Sequence, residues 1–374
     1  MMPRPFNREH DEQRREEDAP RGGTRESAKA DVAPSEEPGA APAWKPSTAK
    51  LVTPKGVLKI GIAGGRQTGK TYLFQSIVYR TMDGSKSGAL ATFLGGEANE
   101  VFTGFDEETR ASISHDDLIR FYPQWTRLTP SLQDVWYRLR IPYRSGFLGR
   151  RSTALDVAFL DAPGESFTLR GLASEAFQDV SVMIFCLPIW AVFNDPAALD
   201  KKSATDAKSA LNDFESIVRL YRESLATKRR KVRVIVALTM ADDRRSALDD
   251  VRTNWIEPFT NPKRTGRVLD VLAKPTALNG YLAAARRTSD YLRQRLRDHL
   301  NPKVSRIPGS FRGFERGTTW YVALSAIDGA KLAQLDATPI PQQAALAATF
   351  PPPVPAHVEL PLLIALCERT NALM

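Results

Sequence analysis

Short, mostly apolar runs alternate along the chain with segments whose apolar positions recur every three or four residues. The runs are VLKIGIA from Val57, SVMIFCL from Ser181 to Leu187, VRVIVALT from Val232 to Thr239 and WYVALS from Trp320 to Ser325. Their length and β-branched content predict strands buried on both faces of a sheet. Two further segments, DVWYRLRIPY and ALDVAFLDAPG, alternate apolar with polar residues, at Val135, Tyr137, Leu139 and Ile141 and at Leu155, Val157 and Phe159. They predict a hairpin closed by SGFLGRRST. Helical spacing places Leu73, Ile77 and Val78 on one stripe, and Leu211, Phe214, Val218, Tyr221 and Leu225 on another. Leu278, Leu282, Leu292 and Leu296 form a packing face within Thr276 to Leu300, and PPPVPA precedes a last helix at about 357–371. Strands alternating with helices predict an α/β fold in three layers. Its sheet is mostly parallel with one antiparallel strand, and helices cover both faces.

Residues 1–50 break this pattern, being rich in Pro, Gly, Ser, Ala, Glu and Arg and poor in large apolar side chains. Such a composition cannot offset the entropy lost on ordering, so a disordered tail is expected there. The domain itself is expected over 51–374, with a helical insert at about 244–318. Residues 1–50 hold nine Lys/Arg against ten Asp/Glu, so the chain's net charge of +9 sits on the expected domain. Basic segments at Arg286, Arg287, Arg293, Arg295 and Arg297 and at Lys228 to Lys231 are candidates for a nucleic-acid backbone or an anionic membrane surface, with a solvated helix face as the simpler reading. No aromatic residues interleave with them as a single-strand platform requires.

The longest apolar run, SVMIFCLPIWAVF, has 13 residues with a proline inside, too short for a transmembrane helix. No apolar leader stands at the N-terminus and no lipidation signal is present, so a cytoplasmic protein is expected. Cys186 and Cys367 lie in apolar surroundings and read as reduced core thiols. The four histidines have no metal-ligand spacing, and no Ser/His/Asp, Cys/His or paired-carboxylate arrangement is visible.

The chemistry lies in GIAGGRQTGKT, which contains G-x-x-x-x-G-K-T from Gly64 to Thr71 between a predicted strand and a predicted helix. This is the context of a phosphate-binding loop, in which glycines let backbone N–H groups turn toward phosphate oxygens at a helix N-terminus. The candidate nucleotide-binding residues there are Gly64, Gly65, Arg66, Gln67, Thr68, Gly69, Lys70, Thr71 and Tyr72. Lys70 is suited to reach the β- and γ-phosphates and Thr71 to bind Mg²⁺. The sequence DAPG ends the second hairpin strand; there Asp161 is suited to hold Mg²⁺ through water, and the Gly164 N–H to sense a γ-phosphate.

TMAD, Thr239 to Asp242, and SAI, Ser325 to Ile327, follow at the ends of later strands. In this order the four motifs resemble those of the Ras-like and translation-factor-related P-loop GTPases, over roughly residues 55–330. The resemblance implies guanine recognition by the Asp242 carboxylate and the Ala326 backbone, with Thr239 and Ser325 in the binding set, and hence GTP with Mg²⁺. It implies a first-switch threonine as a Mg²⁺ ligand, either Thr126 or Thr129, with Thr126 preferred. The P-x-W-T segment around Thr126 resembles bacterial double-GTPase-type domains. Catalytic roles then fall to Lys70, Thr126 and Glu165.

Three positions depart from the family pattern. Met240 replaces its lysine, Glu165 stands where many members place a water-positioning glutamine, and Arg66 lies inside the phosphate loop. Met240 keeps ATP open as an alternative, and Glu165 keeps open a binding module without turnover. The expected role is a switch that hydrolyses GTP slowly and signals through a protein effector.

Overall fold

The computed structural model describes residues 58–65, 68–70, 72–74, 76–77, 100–102, 135–145, 151–161, 177, 179–194, 199–226, 230–243, 245–260, 275–326 and 355–370, with isolated positions elsewhere. All of these lie in the unit Trp44–Met374. Among the described residues seven strands form one sheet: β1 (Leu58–Ala63), β2 (Glu100–Phe102), β3 (Val135–Ser145), β4 (Arg151–Asp161), β5 (Val182–Pro188), β6 (Arg233–Thr239) and β7 (Trp320–Ala323). Their order is β2-β3-β4-β1-β5-β6-β7.

Five of them, β4, β1, β5, β6 and β7, are mutually parallel. The sequence led us to expect a mostly parallel sheet with a single antiparallel strand, and the five-strand parallel part is what the structure supports. Antiparallel pairing runs through two ladders, β2 with β3 and β3 with β4. The three-residue β2 is too short to leave an alternation signal in the sequence.

The strand period of two divides the core between the two faces. On one face Met183, Phe185 and Leu187 of β5 and Val234, Val236 and Leu238 of β6 pack under helix α2 (Lys201–Ala226) through Leu211, Phe214, Val218 and Tyr221. On the other, Ile60 and Ile62 of β1 with Ile184 and Cys186 of β5 pack on α1, whose described residues are 70, 72–74 and 76–77. Asp200 starts α2 by accepting the Ser203 N–H at 2.6 Å, an N-cap that satisfies one donor of the first turn.

After β6 a helical stretch, α3, runs through Asp249–Val251, a π-type turn Arg252–Ile256 and Glu257–Thr260. Helix α4 (Pro275–Arg297) contributes Tyr281, Leu282 and Ala285 to one core and Leu292 and Leu296 to the other. The short α5 (Pro302–Arg306) and a 3₁₀ turn (Ile307–Gly309) lead toward β7, and α6 (Leu360–Thr370) packs Leu362, Leu363 and Leu366 onto the α1 face. Among the described residues no helix is long and apolar enough to cross a membrane.

Two arginines of the predicted basic segment are turned to packing. Arg286 lies over Trp320 at 4.9 Å, and Arg293 lies over Tyr321 at 5.6 Å while donating to the Thr319 carbonyl. Arg230 of the second basic segment pairs with Asp179 at 3.2 Å.

Candidate nucleotide site

The parallel strands β1, β5, β6 and β7 end side by side with their connections on one rim of the sheet, where α/β proteins bind ligands. Beyond β1 the chain turns back into α1 through the glycine loop. A Cβ on Gly64 would lie 2.6 Å from Thr68 Oγ1 and 2.8 Å from the Cys186 carbonyl oxygen, so the strand end admits only glycine there. Gly69 adopts φ +80°, the left-handed region that side chains avoid, and its carbonyl accepts the Leu73 N–H at 2.8 Å as the helix begins. The loop's described ends are therefore tight backbone, the second at a helix N-terminus.

Lys70 is 8% exposed, and its Nζ donates to the carbonyls of Gly64 at 2.8 Å and Gly65 at 2.7 Å. These bonds hold the ammonium across the loop, where a buried cation needs partners. Thr68 Oγ1 donates to the Gly65 carbonyl at 3.0 Å, and Thr239 Oγ1 donates to the Thr68 carbonyl at 2.7 Å. The threonine of TMAD thus ties the end of β6 to the loop.

At Met240 the chain enters the left-handed region with φ 56°, which is strained for a side chain without a local hydrogen-bonding group. The turn that follows carries Asp242. Ala241 N–H donates to the Leu324 carbonyl at 3.1 Å, and Ser325 Oγ donates to Asp242 Oδ1 at 2.5 Å. Asp242 is half-buried and Ser325 buried, so the hydroxyl fixes the carboxylate at the rim. Ala326 is joined to α1 through its carbonyl, which accepts from Ser76 Oγ at 3.4 Å.

Lys70, Thr68, Gly69, Thr239, Asp242, Ser325 and Ala326 are therefore linked by direct contacts from one motif to the next. Asp161 is the last residue of β4 and pairs in register with Ile62, one residue before the end of β1. Its side chain lies outside the described residues, as do Arg66, Gln67, Thr71, Thr126, Gly164 and Glu165. Tyr72 is on α1 and half-buried.

Two groups at the rim went unread in the sequence. Asp213 of α2 packs against the loop, since a Cβ on Gly65 would lie 2.8 Å from its Oδ2; burial raises its pKa and the Lys70 charge lowers it. No motif announces it, because the contact joins residues far apart in the chain. Trp190, just after β5, donates from Nε1 to Met240 Sδ at 3.5 Å, and the Arg245 guanidinium stacks on its ring at 4.0 Å. Arg245 is itself paired with Asp243 at 2.5 Å. The apolar character of Met240 was legible in the sequence; its partner Trp190 was not.

The sequence profile of the Double-GTPase 2 family matches residues 59–269, more than half of the chain and inclusive of the phosphate loop and TMAD. The chain belongs to the Double-GTPase 2 family. It is thus a P-loop protein of a GTPase family, and a GTP-binding protein on that footing. Among solved structures it is similar to one described as the signal recognition particle receptor SRb-GTP/SRX complex from Chaetomium thermophilum, at 13% identity and TM-score 0.36, covering 72% of this chain and 91% of that one. It is also similar to sup35 complexed with GDP, at 11% identity and TM-score 0.24, covering 76% of this chain and 40% of that one. No match was found among curated proteins.

Proposed function

We infer that this Double-GTPase 2 protein is a Mg²⁺-dependent switch that hydrolyses GTP slowly and signals to a protein partner. The observation that carries this reading is the hydrogen-bonded chain running from Lys70 through Thr68 and Thr239, and the neighbouring pair Asp242–Ser325, all on one rim. A glycine cradle that a Cβ would fill, with a lysine held across it, fits a nucleotide triphosphate.

In this reading Lys70 compensates charge on the β- and γ-phosphates, and the loop N–H groups between Gly65 and Thr71 bind their oxygens. Asp242 accepts two N–H bonds from a guanine edge. Opposite adenine the same carboxylate faces an acceptor and loses its donors, which is the physical basis of base selection. Ser325 acts as a positioning residue that holds Asp242 in the accepting orientation, and the Ala326 backbone completes the base site. Met240, held by Trp190, covers the base plane with an apolar stem.

Thr71, Asp161 and Thr126 are the residues suited to hold Mg²⁺, which when bound neutralises charge developing on the phosphate oxygens. The Gly164 N–H and Thr126 respond to the γ-phosphate and release when it is lost. Glu165 orients water less well than glutamine, because its charge also repels the γ-phosphate. Slow turnover follows from that repulsion.

Turnover with purified protein tests this. GTP hydrolysis is expected at about 10⁻⁴–10⁻² per second, the range of such GTPases acting without a partner, abolished by EDTA and raised about tenfold in Glu165→Gln. GTP that stays intact through days of incubation, in both proteins, would assign the chain to a nucleotide-binding adaptor instead. A second reading, ATP in place of GTP, is favoured by Met240, which supplies no charge where the family carries lysine.

A further inference from the structure

On the α2 face of the sheet a cavity of 620 Å³ opens between α2, α5 and the turn Ile307–Gly309. This is within the ~300–1,000 Å³ range of pockets that receive ligands. Its floor is apolar: Leu211, Phe214, Val218 and Ile307 are all buried beneath it. Its rim is cationic. Arg219 and Arg222 line one side from a single face of α2, while Arg297, Lys303, Arg306 and Arg312 line the other, against one carboxylate, Glu215.

The two walls are tied together, since Lys303 Nζ donates to Asn212 Oδ1 at 2.5 Å and Asn301 caps α5 by accepting the Lys303 N–H at 3.0 Å. The groove is thus built before any partner arrives. Its arginines differ from two others along α4. Arg286 and Arg293 are spent on Trp320 and Tyr321, whereas the five groove arginines are exposed and have no ion-pair partner among the described residues. Gathering six cations around an apolar floor raises a local positive potential that favours an anionic occupant.

The apolar floor selects among polyanions. A nucleic-acid backbone needs the cations but not the floor, and the single aromatic ring lining the groove, Phe214, does not make the succession of platforms on which bases stack. A bilayer surface is flat and meets a recessed floor poorly. An amphipathic segment with acidic flanks satisfies both floor and rims.

We propose that this groove docks an acidic amphipathic helix of a partner protein, its apolar stripe entering the floor and its Asp or Glu residues meeting cations on both sides. None of the groove residues belongs to the nucleotide site, so the proposal stands or falls apart from GTP.

Fluorescence anisotropy with the full chain tests it, using three labelled helical peptides that carry a Leu, Ile or Phe stripe and Glu on both flanks. Each is compared with a scramble of the same composition and with a Lys-flanked version. At least one acidic peptide is expected to bind about tenfold more tightly than its scramble, and more weakly as salt rises. The double variant Arg219→Glu/Arg306→Glu should lose about tenfold in that affinity, with Arg219→Gln/Arg306→Gln moving it in the same direction if charge reversal disturbs the fold. No preference over the scramble for any stripe, or an affinity untouched by both variants, overturns the proposal. So does binding of a single-stranded oligonucleotide or of phosphatidylserine vesicles that the Gln variant weakens while the peptides fail.

Discussion

Asp242 and His357 are both titratable, both held by hydrogen bonds, and both adjoin Ser325, yet their surroundings are opposite. Asp242 accepts from the Ser325 hydroxyl and remains half-buried at the rim of the sheet. His357 follows Ala356, whose N–H and carbonyl pair with the Ser325 backbone at 2.7 and 3.0 Å, and it is fully buried. Its ring stacks 3.9 Å from Trp255 and lies 4.0 Å from Phe259. Its Nε2 donates to the Trp255 carbonyl at 2.7 Å, so Nδ1 accepts the Tyr281 hydroxyl at 2.8 Å. Every polar atom of that imidazole is used within the protein. The difference separates a group left partly open at the sheet rim, where the proposed nucleotide would sit, from one that closes a core: the histidine anchors the segment before α6.

The contrast breaks most sharply at Lys70. Lys70→Ala is expected to lower nucleotide affinity by about 100-fold, equivalent to about 2.7 kcal/mol, in a titration with a fluorescent GTP analogue. Its melting temperature without nucleotide should move little. A variant that melts early and binds normally would place Lys70 with His357 among the structural groups.

A smaller effect is expected from acid on the histidine cluster. Burial pushes the His357 imidazole down to about 3, only partly opposed by its bond to the Trp255 carbonyl. The folded pKa lies below the unfolded one, so the unfolded chain binds the proton first. Stability is then full above the unfolded pKa near 6.5 and falls as pH drops from there toward 3. Between pH 7 and pH 5 this single group costs about 2 kcal/mol. His357→Asn tolerates the left-handed φ of 58° and cannot titrate, so urea melts at the two pH values should show a correspondingly smaller loss. Equal losses in both proteins would remove His357 from the account.

The mildest change is Ser325→Ala. Losing the hydroxyl that fixes Asp242 should weaken GTP binding by about 1 kcal/mol, with ATP binding unchanged. Equal weakening for both nucleotides would mean that Ser325 supports the rim as a whole rather than the base site.

The strands were the most legible part of the fold. VLKIGIA, SVMIFCL and VRVIVALT appear as Leu58–Ala63, Val182–Pro188 and Arg233–Thr239, because a strand buried on both faces must be apolar along its whole length. Helix α2 was legible only over its stripe from Leu211 to Leu225. Its first ten residues bury little beyond Ala207 and Ala210, and the Asp200 cap that begins it is a local signal the stripe does not contain. At the rim, motif spacing picks out Lys70, Thr239, Asp242 and Ser325, since each ends a recognisable strand or follows shortly after one. Asp213 and Trp190 were missed because they reach the rim from neighbouring segments through tertiary packing. The His357 cluster was equally hidden: Trp255, Phe259, Tyr281 and His357 come from three separate segments, and nothing in their spacing brings them together.

The central claim is that the Asp242 carboxylate reads a guanine edge. Competition of a fluorescent GTP analogue by unlabelled GTP and ATP, in Mg²⁺, on wild type and Asp242→Asn, tests it most directly. GTP should displace the analogue at concentrations about 100-fold lower than ATP in the wild type, a difference of about 2.7 kcal/mol, and Asp242→Asn should erase most of that preference. Equal competition by GTP and ATP in the wild type, or an undiminished preference for GTP in Asp242→Asn, would contradict it.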